Sequence, residues 1–228
     1  MHRPRQMPMP MELPADHARA RFLTAPCNAQ AIAMIDAPDW PAGKLVVTGP
    51  AGSGKTHLLH IWAAQHQAVL LDARALATRD LTELAASGAV ALDDTAQIAG
   101  NPQAETALFH LHNMLAEGRG RLLLTARKPV RDWGLALPDL LSRLQAAPHV
   151  AVAPPDDALL AGVLGKLFAD RQVIVADNLI PFLLPRMERS LAAAQRIVAA
   201  LDAEALARKA PITRQLAADV MQKSLDFG

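Results

Sequence analysis

Apolar positions fall in two rhythms along the chain. Short unbroken apolar runs recur through its first two thirds: Leu45-Val46-Val47-Thr48, Val69-Leu70-Leu71-Asp72, and the segments 89–92, 121–125 and 150–152. They are too short for helices and do not alternate with polar residues, the pattern of strands buried on both faces. Between them, helical spacing predicts helices over 28–35, 57–66, 79–87, 103–117 and 140–144, with Gly88 placed to end the third. Five strands alternating with helices predict an α/β fold built on a five-stranded parallel sheet. Beyond Pro154-Pro155 only the helical period remains, over 158–169, 178–184, 188–206 and 213–225, with Asp156 or Asp157 as the first N-cap. The expected division is an extended Pro- and Met-rich tail (1–20), an α/β domain (21–153) and a small all-helical lid domain (154–228).

Composition removes several classes of function. Of 228 residues, 51% are hydrophobic, so a sizeable core can be buried. The 23 basic residues nearly cancel the 22 acidic ones, so DNA contact could rest only on local patches. The lone cysteine, Cys27, excludes an internal disulfide and multi-cysteine metal sites, and fits a reducing cytoplasm. No apolar run reaches the roughly 18–20 residues of a membrane-spanning helix, and the N-terminus is not a signal peptide.

The sharpest signal is Gly49-Pro50-Ala51-Gly52-Ser53-Gly54-Lys55-Thr56, which fits the pattern G-x-x-x-x-G-K-[ST] between a strand and a helix. The glycines permit turn dihedrals that aim backbone N–H groups at phosphate oxygens, and the following helix directs its positive end there. Lys55 would reach the β- and γ-phosphates of ATP or ADP, and the Thr56 hydroxyl would ligate Mg²⁺. A strand ending in Asp93-Asp94 supplies the complement. Asp93 is expected to hold Mg²⁺ through water. Asp94 would orient or deprotonate the attacking water, unless it merely caps the next segment. His57 and His60 lie one turn apart but lack an evident third metal ligand, and read as satisfied or solvated.

These residues resemble AAA+ ATPases of the bacterial initiator clade, the DnaA-related family. The resemblance rests on the cradle, on the Asp-Asp pair, and on Ile98-Ala99-Gly100 followed by Glu105, Phe109, Leu111, Asn113 and Glu117. It is strengthened by Arg121-Leu122-Leu123-Leu124-Thr125 and by Leu137-Pro138-Asp139-Leu140-Leu141-Ser142-Arg143-Leu144, which are similar to the Hda-type regulators that inactivate DnaA after replication starts. The resemblance implies a P-loop NTPase sheet with a helical lid. It implies that Arg143 is an arginine finger acting in trans on a neighbour's γ-phosphate, where residue type alone indicates a surface arginine. It implies that Arg189 is the arginine of a lid helix touching the phosphates, that Thr125 stays near the γ-phosphate, and that adenine lies near Phe22, Leu23 and Asn28. At Arg127 this chain has a base where the family has an acid, so its own ATP hydrolysis is expected to be weak.

The tail Gln6-Met7-Pro8-Met9-Pro10-Met11 resembles the clamp-binding peptide of the same regulators, with Gln6, Met7, Met9 and Met11 as anchors on the DNA polymerase sliding clamp; composition alone indicates only a Met-rich terminus. The sequence stops soon after the lid, without the helix-turn-helix domain with which initiators read duplex DNA. The expected role is a cytoplasmic adaptor that reaches DNA only through the clamp, promotes ATP hydrolysis by DnaA and can self-associate. Two rivals stand beside it: a stand-alone ATPase or helicase loader, and a short DnaA paralogue binding DNA directly.

Overall fold

The structure, a computed structural model, describes residues 23–225. Phe22 and the tail anchors Gln6, Met7, Met9 and Met11 lie outside the described residues. Five strands, β1 (Lys44–Thr48), β2 (Val69–Asp72), β3 (Ala89–Asp93), β4 (Arg121–Ala126) and β5 (His149–Ala151), form one sheet in the order β2-β3-β4-β1-β5. Every pairing is parallel. The expected five-stranded parallel sheet is therefore present.

Helices cover both faces. α1 (Ala29–Ile35) and α2 (Lys55–Gln65) pack on one side, where Leu45, Val47, Ala91 and Leu123 meet Ile32, Leu59 and Trp62. α3 (Leu81–Ala86), α4 (Pro102–Glu117) and α5 (Pro138–Ala146) cover the other, where Val46, Val90, Leu92, Leu122 and Leu124 meet Leu108, Leu111, Leu115 and Leu144. Successive residues of the central strands β3, β4 and β1 thus feed opposite layers, which is why their middles are apolar.

From Asp157 onward the chain is helical: α6 (Asp157–Asp170), α7 (Leu179–Leu183), α8 (Leu191–Arg208) and α9 (Arg214–Leu225). These surround a separate apolar cluster that includes Leu160, Leu164, Phe168, Leu183, Val198, Leu201 and Leu216. The N-cap of α6 is Asp156, whose carboxylate accepts from Leu159 N at 2.7 Å.

Several boundaries differ from the sequence reading. α5 starts two residues after Ala136 because Leu137 and Pro138 open it, earlier than the apolar stretch alone suggests. α8 starts at Leu191 rather than 188, because Ser190 caps it by accepting from Ala193 N at 3.0 Å. Arg189 therefore precedes this helix instead of riding on it. β1 begins one residue early, at Lys44, which is only 1% exposed.

Candidate functional site

The C-terminal ends of β1, β3 and β4 converge on the turn 49–54, the usual location of a ligand crevice in a parallel sheet. Two glycines of the turn are sterically required. At Gly49 a Cβ would lie 2.3 Å from Val152 O, and at Gly52, which has φ +71, it would lie 2.3 Å from Ser190 Cβ. No other residue type fits there without moving backbone. Gly54, also left-handed at φ +99, is the N-cap of α2, so the first N–H groups of that helix face the turn.

Lys55 lies inside this loop. Its Nζ donates to Pro50 O at 2.7 Å and lies 3.5 Å from Ser53 Oγ. Burial pushes its pKa below the usual lysine value, while Asp93 and Asp94 pull it back up and Arg127 lowers it again. The ammonium is satisfied by this backbone carbonyl.

Thr56 and Asp93 are brought together as the motifs predicted: Thr56 Oγ1 donates to Asp93 Oδ2 at 2.9 Å. A hydroxyl and a carboxylate side by side at the mouth of an anion cradle are hard oxygen donors, the set that Mg²⁺ takes. Thr125, 1% exposed, donates its hydroxyl proton to Asp93 Oδ1 and accepts from Asp94 N at 3.0 Å. Its hydroxyl is spent on aligning the two aspartates. Asp94 adopts a left-handed conformation, φ +49 and ψ +46, and its carboxylate makes no capping bond to the following turn. It accepts instead from Gln97 Nε2 at 3.4 Å and faces Arg127 Nη2 at 3.9 Å.

Beside the cradle a cleft of about 730 Å³ opens between the sheet region and the helices that follow it, a size suited to a small cofactor. Gly52, Gly54, Lys55 and Thr56 line its base, Leu23 and Asn28 one rim, and Leu159, Val163, Leu167 and Leu191 an apolar wall. The lining is polar where phosphates would sit and apolar where a flat base would.

No family model matches the chain. Among solved structures, domain III of the replication initiation protein DnaA from Thermotoga maritima superposes with a TM-score of 0.77 at 17% identity, over 91% of this chain and 96% of that one. DnaA from Aquifex aeolicus bound to AMPPCP gives 0.73 at 15% identity, over 90% of this chain and 68% of that one. The fold is of the AAA+ type. The Thermotoga maritima RuvB branch migration motor shares it more distantly, with a TM-score of 0.61 at 18% identity over 79% of this chain and 61% of that one.

Within this AAA+ fold the remaining predicted residues are scattered. Asn28 lines the cleft, but its amide is engaged at both ends, Oδ1 accepting from Ala25 N at 2.8 Å and Nδ2 donating to Leu23 O at 3.0 Å. It shapes the rim through the loop 23–28. Arg189 ion-pairs with Asp157 at 3.0 Å, with both side chains more than half exposed. Arg143 does not line the cleft; it is exposed on α5, with its guanidinium 5.1 Å from the Phe109 ring centroid.

Sequence reading missed the contribution of α6. Leu159, Val163, Lys166, Leu167 and Asp170 recur at three- and four-residue spacing and face the cleft, while Leu160, Leu164 and Phe168 face the helical core. That double stripe is visible in the sequence and marks a helix covered on two sides. His57 and His60 also line the cleft, and burial lowers the pKa of His57, with His60 adding to the effect. Among the described residues no group of three metal-ligating side chains forms, and no helix is long and apolar enough to cross a membrane.

Proposed function

We propose that this chain is a nucleotide-binding AAA+ adaptor that promotes ATP hydrolysis by DnaA and so restrains replication initiation. The observation that carries the nucleotide-binding half is the assembled cradle, with Lys55 inside the glycine turn and Thr56 bonded to Asp93. Gly49, Pro50, Ala51, Gly52, Ser53 and Gly54 would surround the phosphates of ATP or ADP with backbone N–H groups. Lys55 would neutralise them, and Leu23 with the α6 wall would hold adenine. Thr56 and Asp93 would hold Mg²⁺, whose charge offsets that of the phosphates when bound. Arg189 would exchange Asp157 for a phosphate when the helical region closes. Asp94, aligned by Thr125, is the residue to orient water, but the adjacent Arg127 charge competes for it, which fits weak turnover of the chain's own nucleotide.

The regulatory half rests on Arg143. Among the described residues no carboxylate pairs with it, and its aromatic support leaves the guanidinium edge open. An arginine held this way can enter a neighbour's site and stabilise charge on a transferring phosphoryl group, an effect commonly on the order of 10³–10⁵ in rate. Gln6, Met7, Met9 and Met11 would dock the chain on the sliding clamp, so that DNA is reached indirectly, in the cytoplasm. The test is ATP hydrolysis by DnaA with clamp-loaded DNA. Wild-type chain should accelerate it, and a folded Arg143→Ala should not. Equal acceleration by both would remove the finger. Acceleration by neither, with turnover of the chain's own ATP, would favour the stand-alone ATPase.

A further inference from the structure

Two helices line the cleft from the glycine turn outward. α2 begins at Lys55, inside the turn. α6 begins at Asp157, which pairs at 3.0 Å with Arg189, the neighbour of the Ser190 that packs on Gly52. At about 1.5 Å per residue, His57 and His60 lie about 3 and 7 Å along α2 from Lys55. Lys166 lies about 10 Å along α6 from Leu159, and Asp170 one turn further. All four side chains line the cleft. A second polar zone, set off from the turn, therefore faces the cleft from both α2 and α6.

If the cleft holds a nucleotide, the glycine turn and Lys55 answer its 5′-phosphates, and Leu23 with Leu159, Val163 and Leu167 answers its base. The ribose lies between these, and its hydroxyls carry no charge. A lysine and two imidazoles exceed what neutral hydroxyls require. Asp170 offsets the charge of Lys166, and the two imidazoles come in addition to that pair. The polar side chains that loop 23–28 and α8 bring to the cleft, Asn28 and Gln195, are uncharged. Burial, and then the nearby His60, lower the pKa of His57. The imidazoles therefore meet a ligand largely as neutral donors, and an incoming dianion would draw protons onto them. Charge-assisted contacts of that kind favour a phosphate over a hydroxyl.

We propose that the cleft takes a nucleotide bearing a second phosphate on its ribose, held between His57 and His60 of α2 and Lys166 of α6 while the 5′-phosphates occupy the glycine turn. The proposal rests on the cleft being a nucleotide site, and it names the class of nucleotide that fills it.

The experiment measures binding of ADP, adenosine 5′-diphosphate 3′-phosphate and its 2′-phosphate isomer to the full-length chain by calorimetry. It uses wild type, the double variant His60→Asn with Lys166→Gln, and Lys55→Ala. At about pH 6.5 wild type should bind at least one ribose-phosphorylated nucleotide about tenfold tighter than ADP, the scale of one charge-assisted contact in a solvated site. That advantage should shrink at about pH 8, where the imidazoles hold protons less and the phosphate stays ionised. The double variant should lose most of the advantage and keep its ADP affinity within about twofold. Three results would overturn the proposal while leaving the nucleotide site standing: no advantage in wild type, an advantage that is the same at both pH values, or one that survives in the double variant. A double variant that loses ADP just as strongly would also overturn it, since these side chains would then serve any nucleotide. If wild type binds none of the three ligands, or Lys55→Ala binds ADP as wild type does, the nucleotide site itself is wrong and the proposal falls with it.

Discussion

Ser190 packs directly onto Gly52, joining the N-cap of the long helix α8 to the glycine turn 49–54. Leu191 N also donates to Gly52 O at 2.9 Å, so backbone and side chain both hold the contact. A methyl at position 52 meets Ser190 Cβ at 2.3 Å and must also accept φ +71. Gly52→Ala is therefore expected to open the joint between turn and helix. The left-handed backbone alone costs about 1–2 kcal/mol. ADP affinity should fall at least about tenfold, a loss of about 1.4 kcal/mol, while far-ultraviolet circular dichroism stays unchanged. Undiminished ADP binding in calorimetry would show that the joint is not part of the site.

Glu105 positions the helix that carries Arg143. It is 1% exposed, and its two oxygens accept from three backbone N–H groups: Gly100 at 3.1 Å, Ala136 at 2.9 Å and Leu137 at 2.8 Å. Leu137 is the N-cap of α5, so one carboxylate from α4 sets where α5 begins. Glu105→Ala leaves these donors buried without a partner and should cost about 2–4 kcal/mol. Glu105→Gln should cost less, since one amide oxygen remains as acceptor. Urea denaturation would measure both, and a loss under about 0.5 kcal/mol for alanine would refute the role.

Lys44 is buried with no hydrogen-bond partner for its amine among the described residues, and burial lowers its pKa to about 8. In the unfolded chain the same amine holds its proton up to about 10.5. Between these values the unfolded state binds more protons, so stability rises with pH across that window and is lowest below it. Lys44→Met should stabilise the protein at pH 7, by at most about 3 kcal/mol, and flatten the rise between pH 8 and 10.5. Denaturation midpoints at pH 7 and pH 10 would check it. An unchanged pH dependence in the methionine variant would assign the titration to another group.

Removing residues 1–11 should abolish binding to the sliding clamp and leave ADP binding as it was. The tail precedes the segments that build the cradle and the cores, so these should fold without it. A short peptide has few contacts beyond its anchors, so losing Gln6, Met9 and Met11 together removes most of its affinity. Equal clamp affinity for full-length and shortened chains would end the docking assignment.

Much of the fold was legible along the chain because its signals are local. The central strands β3, β4 and β1 are largely apolar on both faces, as burial on both sides of a sheet requires. The cradle was legible for the same reason: Gly52, Gly54, Lys55 and Thr56 act within one turn, so their spacing is their geometry. The pairing of Thr56 with Asp93 across 37 residues was also foreseen, since both motifs end strands or begin helices at one edge of a parallel sheet.

Sequence alone therefore determined the class of fold, the glycine turn and the acids facing it. Only the tertiary structure decided what each outlying side chain does. Asn28 turned out to build a loop, Lys44 to be buried, Arg189 to rest on Asp157, and α6 to wall the cleft. Those roles depend on which distant segment arrives opposite each residue. Such arrivals are set by packing in three dimensions, where a shift of one helical turn exchanges a buried face for a solvated one.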